Sequence, residues 1–411
     1  MLSRCLLREV FLSQAVVEGL QLVDLLLDHK PRFGGEKVKL GEVLAASFSG
    51  EWGSESGDEL TPVLRTANFN DDGSLDYSTP AMRCIPKLKV EKKALRRGDV
   101  ILEKSGGAPN RPVGMVAYYE SDGLALCSNF NQTLRFDGEA ADSRYMFYQL
   151  RWLHDRSAFA HCTRKTTGLQ NLQMKAFVNL KVKRPPIQVQ AAESSTLHAI
   201  TELVKLQRAK LSLLDALVKS RFVEMFGGAL SIENKWDSSI LENCVESLES
   251  GKSPSCKNVS RKGLDPGVLK LSALSSGRFL PGENKAMLDG ETIIQAKEVK
   301  QGDILVARKN TPQLVGSCVL VREDVTNLMF PDIVFRMHPN DSVNGEYLAA
   351  LLSSPSYSSK VRGLAHGSNK SMSNIPKSEL AKLSIPLPPL SLQQEFADFV
   401  AAVDKSRFVH H

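Results

Sequence analysis

The chain has 411 residues, 42% of them hydrophobic, which predicts two or three domains with real cores and excludes general disorder. Its formal charge of +6 is mildly basic, which is compatible with a nucleic-acid partner but does not establish one. The seven cysteines are widely spaced and no apolar run reaches the roughly 18 residues of a membrane span, so we expect a cytoplasmic protein without a disulfide framework, zinc site or membrane segment.

The N-terminal segment, residues 1–35, is rich in leucine and carries Arg4 and Arg8 near its start. Polar residues interrupt its apolar run, and no small-residue cleavage site follows. This pattern predicts an amphipathic helix and not a signal peptide.

The sequence repeats itself at a period of roughly 200 residues, with several matches in the same order. Residues 95–102 match residues 299–306, and both contain a Gly-Asp pair followed by apolar residues. Residues 180–186 match residues 383–389, and both end in Pro-Pro with a glutamine a few positions later. The chain is therefore predicted to contain two similar halves.

Each half has the pattern of a mixed α+β domain. Strand-like segments with Gly, Asn and Pro turns come first, and a short helix follows at 145–153 and at 347–352. A β-like segment closes each half. We therefore expect globular domains at residues 36–185 and 229–385.

A helical spacer is predicted between the halves, within residues 186–228. We expect it to run from about Ser194 to Phe226, because Pro-Pro stops the preceding strand and Gly227-Gly228 ends the helix. Heptad spacing of its apolar residues is typical of a coiled coil or an antiparallel helix pair. The residues of this stripe are Leu197, Ile200, Val204, Leu211, Leu214 and Val218.

A second, shortened spacer is predicted at residues 386–411. Ser391 and Gln394 have the spacing of a capping box, and an apolar face follows, formed by Phe396, Phe399, Val400 and Val403. Residues 32–35 loosely echo the end of the first spacer. Two placements of the N-terminal helix stay open: beside the C-terminal helix, completing a second rod, or on the first globular domain as a separate extension.

Loops with basic and amide side chains follow the Gly-Asp strand in each half. Lysine and arginine bind phosphates, and Arg, Lys, Asn and Gln read base edges in the major groove. The candidate DNA-binding residues of these loops are Lys104, Asn110, Arg111, Arg308, Lys309, Asn310 and Gln313. Further candidates are Arg65, Asn68, Asn129, Asn131, Arg135, Asn369 and Lys370. A structural role stays open for each, because asparagine often serves a turn and a surface lysine is often only solvated.

No catalytic centre is predicted. Asp99 and Asp303 follow glycine at a strand start, where capping of the turn is favoured over a catalytic role. A phosphate-binding loop would need glycine where Glu246 stands, and the histidines and cysteines lack partners at metal-ligand spacing. We therefore expect no catalytic residue, no metal and no cofactor.

Several segments carry a resemblance to one family. Residues 183–226 and 383–406 resemble the conserved helical regions of the specificity subunits of type I restriction–modification systems. Residues 64–76 look like the family's early target-recognition motif, and the two Gly-Asp strands look like its G-D-[IVL]-L strand. The resemblance covers nearly the whole chain from residue 36.

The resemblance implies an α+β architecture: two similar mixed α+β target-recognition domains joined by long antiparallel, coiled-coil-like helical spacers, with pseudo-two-fold symmetry. It implies a non-catalytic subunit that reads a bipartite site in double-stranded DNA. It also implies that DNA methyltransferase subunits dock on the spacers and that restriction motor (translocase) subunits join through them. The chain departs from the family pattern in its shortened C-terminal helical region and its N-terminal helix, which puts docking of a second methyltransferase in doubt.

Two other interpretations stay open. A two-lobed scaffold for protein interactions would also have repeats and rods, and a truncated, inactive specificity-subunit remnant would keep the fold without DNA-directed activity. A salt titration separates DNA binding from a protein scaffold, because only binding through phosphates weakens steeply with salt.

Overall fold

The computed structural model describes residues 35–107, 111–166, 169–228, 232–366 and 372–408. The chain divides into two compact units, unit 1 from Met1 to Ala209 and unit 2 from Lys210 to His411. The predicted N-terminal helix lies outside the described residues. Within the ranges above, no helix is long and apolar enough to span a membrane.

Unit 1 consists of short strands with helices between them and at its end. Its elements are, in chain order, β1 (Glu36–Lys39), β2 (Leu44–Ser49), β3 (Leu60–Leu64), β4 (Ala81–Cys84), α1 (Lys87–Lys93), β5 (Val100–Glu103), β6 (Ser105–Gly106), β7 (Val116–Tyr118), β8 (Leu126–Cys127), β9 (Asn131–Phe136), α2 (Ser143–Asp155), β10 (Thr163–Thr166), β11 (Leu169–Leu172), α3 (Met174–Phe177), β12 (Lys181–Arg184) and the long helix α4 (Ile187–Phe226), which continues into unit 2.

Unit 2 follows the same plan. After the second part of α4 its elements are, in chain order, α5 (Ile232–Lys235), β13 (Ser238–Ile240), β14 (Val245–Ser250), β15 (Gly267–Leu269), α6 (Ser272–Ser275), β16 (Asn284–Ala286), β17 (Ile304–Ala307), β18 (Lys309–Asn310), β19 (Cys318–Leu320), β20 (Leu328–Met329), β21 (Val334–Pro339), α7 (Gly345–Ser353), α8 (Pro355–Gly363), β22 (Ser373–Asn374), α9 (Lys377–Ala381), β23 (Ser384–Pro386) and α10 (Leu390–Phe408).

The two units have corresponding sheets. The main sheet is antiparallel, with the order β2-β9-β5-β7 in unit 1 and β14-β21-β17-β19 in unit 2. A smaller mixed sheet has the order β4-β3-β8 in unit 1 and β16-β15-β20 in unit 2. The predicted repeat of two similar α+β bodies is therefore confirmed in the fold.

The central strands β5 and β17 are the segments predicted after the two Gly-Asp pairs. Val100 and Leu102 pack into one hydrophobic cluster of unit 1, whereas Ile101 packs into another, because successive side chains of a strand point to opposite faces. In unit 2, Ile304 and Leu305 are divided between two clusters in the same way. Burial on both faces explains why residues 100–102 and Ile304–Ala307 are continuous apolar runs.

A buried glutamine fastens the start of a helix to the Pro-Pro turn in each unit. Gln190 accepts from the backbone N–H of Asp142 at 3.0 Å and donates to the carbonyl of Pro185 at 2.8 Å. Gln393 accepts from the backbone N–H of Asn344 at 2.8 Å and makes the corresponding donation to Pro388 at 2.7 Å. The glutamines that follow each Pro-Pro in the sequence are thus buried structural residues.

Both spacer helices begin closer to Pro-Pro than predicted. Helix α4 begins at Ile187 and not near Ser194, and α10 begins at Leu390, so Ser391 lies inside the helix and the predicted capping box is wrong. The carbonyl of Pro186 accepts from the backbone N–H of Gln190, and the carbonyl of Pro389 accepts from that of Gln393. Proline can stand directly before a helix because N–H groups at a helix start have no acceptor within the helix, so the N–H that proline lacks removes no helical hydrogen bond.

In unit 2, helix α10 runs antiparallel to the second part of α4. Asp215 meets Arg407 at 2.8 Å, whereas Arg221 meets Glu395 at 2.9 Å, so residue numbers rise along one helix as they fall along the other. The predicted stripe residues Val218, Phe396 and Val400 lie in or against the main core of this unit, Val403 is also buried, Phe399 lies beneath Arg221, and Leu211 and Leu214 are half-buried.

In unit 1, the first part of α4 presents the other half of the predicted stripe. Leu197 packs against the core of this unit, and Ile200 and Val204 are half-buried. Two hydrogen bonds also join this part to α2, from Arg144 to His198 and from Tyr148 to Thr201.

Candidate nucleic-acid interface

In each unit, the loop that follows the central strand carries candidate DNA-binding residues. Its first residue, Lys104 in unit 1 and Arg308 in unit 2, forms the loop base and is bonded to the end of the edge strand of the main sheet. The Lys104 ammonium donates to Oγ of Ser49, the last residue of β2, at 2.5 Å. The Arg308 guanidinium donates to Oγ of Ser250, the last residue of β14, at 3.4 Å. These two predicted residues therefore hold corresponding positions in the two units.

An asparagine from the end of each half provides a second anchor. Asn171 accepts from the hydroxyl of Ser105 in unit 1, and Asn374 accepts from the Arg308 guanidinium at 3.1 Å in unit 2. The residue after each asparagine also binds the loop, since the N–H groups of Leu172 and Ile375 donate to the carbonyls of Lys104 and Arg308. The repeated Asn-Leu and Asn-Ile pairs of the sequence thus fix the loop base.

Glycine is required where the edge strand passes the neighbouring turn. A Cβ at Gly50 would lie 2.0 Å from the carbonyl oxygen of Cys127, and a Cβ at Gly251 would lie 2.1 Å from that of Phe330. No side chain fits at such distances, so the close approach is built into the backbone of both units.

In unit 1, the loop base contains a buried acid. Glu103 ends β5, and Arg111 lies 3.8 Å from its carboxylate with about half of its own side chain exposed. Burial raises the pKa of the Glu103 carboxyl and lowers the pKa of the Lys104 ammonium. Asn129 is exposed on the adjoining turn.

In unit 2, the loop base borders a cavity lined by basic side chains. The cavity has a volume of about 620 Å³ and is lined by Arg308, Lys377 and Lys382, with the acidic Glu242 and the polar Asn374 and Ser378 beside them. Arg308 also lies over the ring of Phe335 at 5.3 Å. Lys309 is half-buried and Gln313 is exposed.

Three predicted asparagines are buried and make hydrogen bonds inside the protein. Asn68 is 1% exposed, accepts from the backbone N–H of Arg65 and donates to two backbone carbonyls. Asn131 is 0% exposed and accepts from the hydroxyl of Thr66 at 3.0 Å. Asn310 is also buried and accepts from the N–H of the next residue. These placements favour the structural role over DNA contact.

Two predicted arginines are also engaged inside unit 1. Arg135 binds both carboxylate oxygens of Asp99 and the carbonyl of Ala94, and its side chain is only 18% exposed. Arg65 donates to the carbonyl of Thr79. Arg135 is therefore held by contacts within unit 1, which favours a structural role, and its contact with DNA stays a prediction.

The Gly-Asp carboxylates cap turns, as predicted. Asp99 accepts from the backbone N–H of Arg96 at 2.8 Å, and Asp303 accepts from that of Lys300 at 2.9 Å. Among the described residues, no group of three or more acidic, histidine or cysteine side chains is arranged to hold a metal ion.

In unit 1 the structure places Lys104 beside Ser49 and Arg111 beside Glu103. In unit 2 Arg308, Lys309 and Asn310 are consecutive, and of these three Arg308 lines the cavity. Asn110, Asn369 and Lys370 lie outside the described residues. Sequence reasoning missed the anchors, of which the repeated asparagines gave the clearest signal, and it also missed the cavity lysines. The missed residues are Ser49, Ser250, Asn171, Asn374, Lys377 and Lys382.

No family model matches the chain. The EcoEI specificity subunit of the type I restriction enzyme of Escherichia coli is 28% identical over 160 residues, which is 38% of this chain but only 27% of that protein. The EcoKI specificity subunit of Escherichia coli strain K12 is 22% identical over 358 residues, 82% of this chain and 74% of that protein. The MjaVIII specificity subunit of Methanocaldococcus jannaschii is 21% identical over 280 residues, 64% of each chain.

A solved structure has a similar fold. The S subunit of a type I restriction–modification system from M. genitalium matches with a TM-score of 0.56 and 12% identity, over 90% of each chain. In sequence and in fold, the chain is therefore similar to the specificity subunits of type I restriction–modification systems, in agreement with the resemblance of its motifs.

Proposed function

We propose that this chain is a non-catalytic, cytoplasmic specificity subunit that binds double-stranded DNA within a type I restriction–modification complex. Residues 36–185 and 229–385 are its target-recognition domains, and each reads one part of a bipartite site. The observation that carries the proposal is the duplicated loop base, in which Lys104 and Arg308 lie on corresponding anchors. Similarity to curated specificity subunits supports it.

Positive charge at the loop bases suits the phosphate backbone of DNA. Arg308, Lys377 and Lys382 line one cavity with a single acidic residue, Glu242, beside them. A cluster of this kind neutralises phosphates and holds the protein on the duplex independently of sequence. Lys309 would extend this contact in unit 2, and Arg111 would make a separate phosphate contact in unit 1.

Sequence would be read by the exposed amide side chains near the loops. Asn129 and Gln313 are exposed and each carries both a donor and an acceptor, which is the chemistry that reads adenine in the major groove. Asn68, Asn131 and Asn310 are buried and are left out of this role.

The spacer helices would hold the partner proteins. Leu206 is 64% exposed and Leu213 is 71% exposed on α4, and exposed leucines of this kind favour a protein contact. We propose that DNA methyltransferase subunits dock on α4 and α10 and that restriction motor subunits join through them. The modified base would then be chosen by this chain and altered by its partners.

A salt titration of duplex binding tests the proposal. We expect affinity for a cognate duplex to fall steeply with salt, and Lys309→Ala and Lys382→Ala each to reduce the salt slope by about 1. Lys219→Ala, an exposed lysine on α4, is the matched control and should leave the slope unchanged. Binding that ignores salt would favour a protein scaffold, and a steep slope that neither lysine variant changes would exclude Lys309 and Lys382 from the phosphate contact.

A domain exchange tests the bipartite reading. Residues 229–385 are replaced with those of another specificity subunit, and the hybrid is co-expressed with the cognate methyltransferase. A genome-wide map of modified bases should show a change in one half of the motif only. A change in both halves would contradict separate reading by the two domains.

A further inference from the structure

Helix α1 lies in a strongly basic segment of unit 1. Residues 85–97, between β4 and the first Gly-Asp pair, carry six lysines and arginines and one acidic residue, Glu91. The corresponding segment of unit 2, residues 287–301 between β16 and the second Gly-Asp pair, carries two lysines and three acidic residues. The shared fold therefore does not require positive charge at this place.

An ion pair and an apolar contact fix the orientation of α1. The ammonium groups of Lys89 and Lys93, one helical turn apart, lie 3.2 and 2.6 Å from the carboxylate of Glu51. The hydrogen bond from Lys93, with a second from Lys89, lowers the pKa of the Glu51 carboxyl. Val90 packs against the hydrophobic cluster of the small mixed sheet. The helix thus presents one side to Glu51 and another to the sheet.

The Glu51 side of α1 adjoins the loop base of unit 1. Glu51 follows Ser49 by two residues, and Ser49 accepts from the Lys104 ammonium at the loop base. Burial lowers the pKa of Lys104, and the positive charge of Lys93 acts in the same direction, so the two cations lie within reach of each other's field. Positive charge on α1 is therefore next to the loop that carries candidate DNA-binding residues.

Lys92 is directed away from the sheet. It is exposed, and in the described part of the chain it makes no ion pair or hydrogen bond. It stands three positions after Lys89, so these two lysines are neighbours on the helix surface. Leu88, four positions before Lys92, is 71% exposed, which identifies the same side of α1 as open to solvent.

We propose that the lysine face of α1, formed by Lys89, Lys92 and Lys93, contacts the DNA phosphates that flank the half-site of unit 1. The proposal rests on the DNA binding proposed above. Glu51 neutralises one of the three cations, which leaves a net positive charge beside the loop base. Lys92 makes the phosphate contact, whereas Lys89 and Lys93 hold the helix in place and add to the positive potential.

Phosphate contacts of this kind position a protein on the duplex and carry no sequence information. In unit 2 the basic side chains at the loop base line the cavity instead, with Arg308, Lys377 and Lys382. The two units therefore use different elements for phosphate contact. It follows that loss of Lys92 affects the flank of one half-site only.

Neutral linkages in the duplex test this contact with the full chain. Methylphosphonates replace the phosphates that flank one half of the motif at a time, and the domain exchange described above identifies the half that unit 1 reads. At the flank of that half, the replacement should weaken wild-type binding about three-fold or more. It should have no further effect on Lys92→Ala, because the cation that contacts these phosphates is already absent.

A salt titration gives a second readout. Lys92→Ala should reduce the salt slope by about 1, and its Tm should match that of wild type because Lys92 is exposed. Lys87→Ala is the matched control: Lys87 is an exposed lysine of the same helix, about 140° around the axis from Lys92. This control should keep the wild-type slope and the wild-type response to the neutral linkages.

Three outcomes would overturn the proposal. If wild type bound DNA with a steep salt slope and the two lysine variants behaved alike, α1 would have no part in a DNA contact that the loops make. If Lys92→Ala kept its DNA affinity but no longer co-purified with the cognate methyltransferase, the lysine face would be a protein contact. A wild-type slope near zero would overturn the DNA-binding function together with this contact.

Discussion

The loop bases of the two units have the same supports but different side chains. Gly50 and Gly251 pass equally close to a backbone carbonyl, and a serine and an asparagine anchor each loop. At the end of the central strand, unit 1 has the buried acid Glu103, whereas unit 2 has Ala307. The backbone supports are thus common to both units, and the groups that set local charge differ.

This difference separates residues that the fold requires from residues that are free to vary. A position directly beneath a carbonyl accepts only glycine, and a position between two buried backbone groups needs a side chain that can both donate and accept, such as glutamine. These residues therefore recur in both halves. A side chain at a loop surface has no such constraint, as expected if each unit reads a different sequence.

The glycine contacts should give the largest effect, and the same effect in both units. Gly50→Ala and Gly251→Ala each place a Cβ within about 2 Å of a carbonyl oxygen, so we expect each to lower the free energy of unfolding by about 3 kcal/mol or more. Urea denaturation measures it. Gly138→Ala and Gly282→Ala are matched controls, because nothing lies within 4 Å of either position. If Gly50→Ala lowered the free energy of unfolding and Gly251→Ala left it unchanged, the two edge strands would not be equivalent.

The buried glutamines should give the next largest effect. Gln190→Ala and Gln393→Ala each leave a backbone N–H and a carbonyl without their partner, which should cost about 2–3 kcal/mol of unfolding free energy in each unit. Gln394→Ala, at the exposed neighbouring position, should change stability by less than about 0.5 kcal/mol. Denaturant unfolding compares the three variants, and equal losses at positions 393 and 394 would show that the buried bonds are unimportant.

Replacing a glutamate by glutamine should change stability at pH 7 in opposite directions in the two units. Burial raises the pKa of Glu103, so its favourable effect on stability is present below the unfolded pKa and is lost as pH rises through the folded pKa. At pH 7 the free energy of unfolding of Glu103→Gln should therefore exceed that of wild type by on the order of 1 kcal/mol. At pH 4 this advantage should be absent.

Glu249 of unit 2 is the control of opposite sign. A hydrogen bond from Lys297, with a second from Arg336, lowers the pKa of Glu249. The contribution of Glu249 to stability is present above the unfolded pKa and is lost as pH falls through the folded pKa. At pH 7 the free energy of unfolding of Glu249→Gln should therefore be lower than that of wild type. Shifts of the same sign for both variants would contradict the contrast between the units.

The smallest expected effect concerns the half-buried cation at each loop base. Lys104→Arg should keep the contact to Ser49, and Arg308→Lys should lose the contact to Asn374, because only the guanidinium reaches two acceptors at once. We expect a loss of about 1 kcal/mol in stability for Arg308→Lys and little change for Lys104→Arg. Thermal unfolding of both variants measures the difference.

Local patterns were sufficient to predict the repeat, the central strands and the long helix. The continuous apolar run after each Gly-Asp pair indicated a strand buried on both faces, and heptad spacing indicated the helix around Leu197 and Val218. The capping role of Asp99 and Asp303 also followed from the sequence, because it depends on residues three positions away.

The burial and the partners of the predicted DNA-binding residues were decided by tertiary structure. Asn131 meets Thr66 and Arg135 meets Asp99, residues that are far apart in the chain and are brought together only by the fold. Likewise, the cavity lysines at positions 377 and 382 join Arg308 through the fold. The sequence by itself determined which segments form strands and helices, because those depend on periodicity within a few residues. Which polar side chains are buried and which remain exposed depends on contacts between distant segments, so only the tertiary structure decided it.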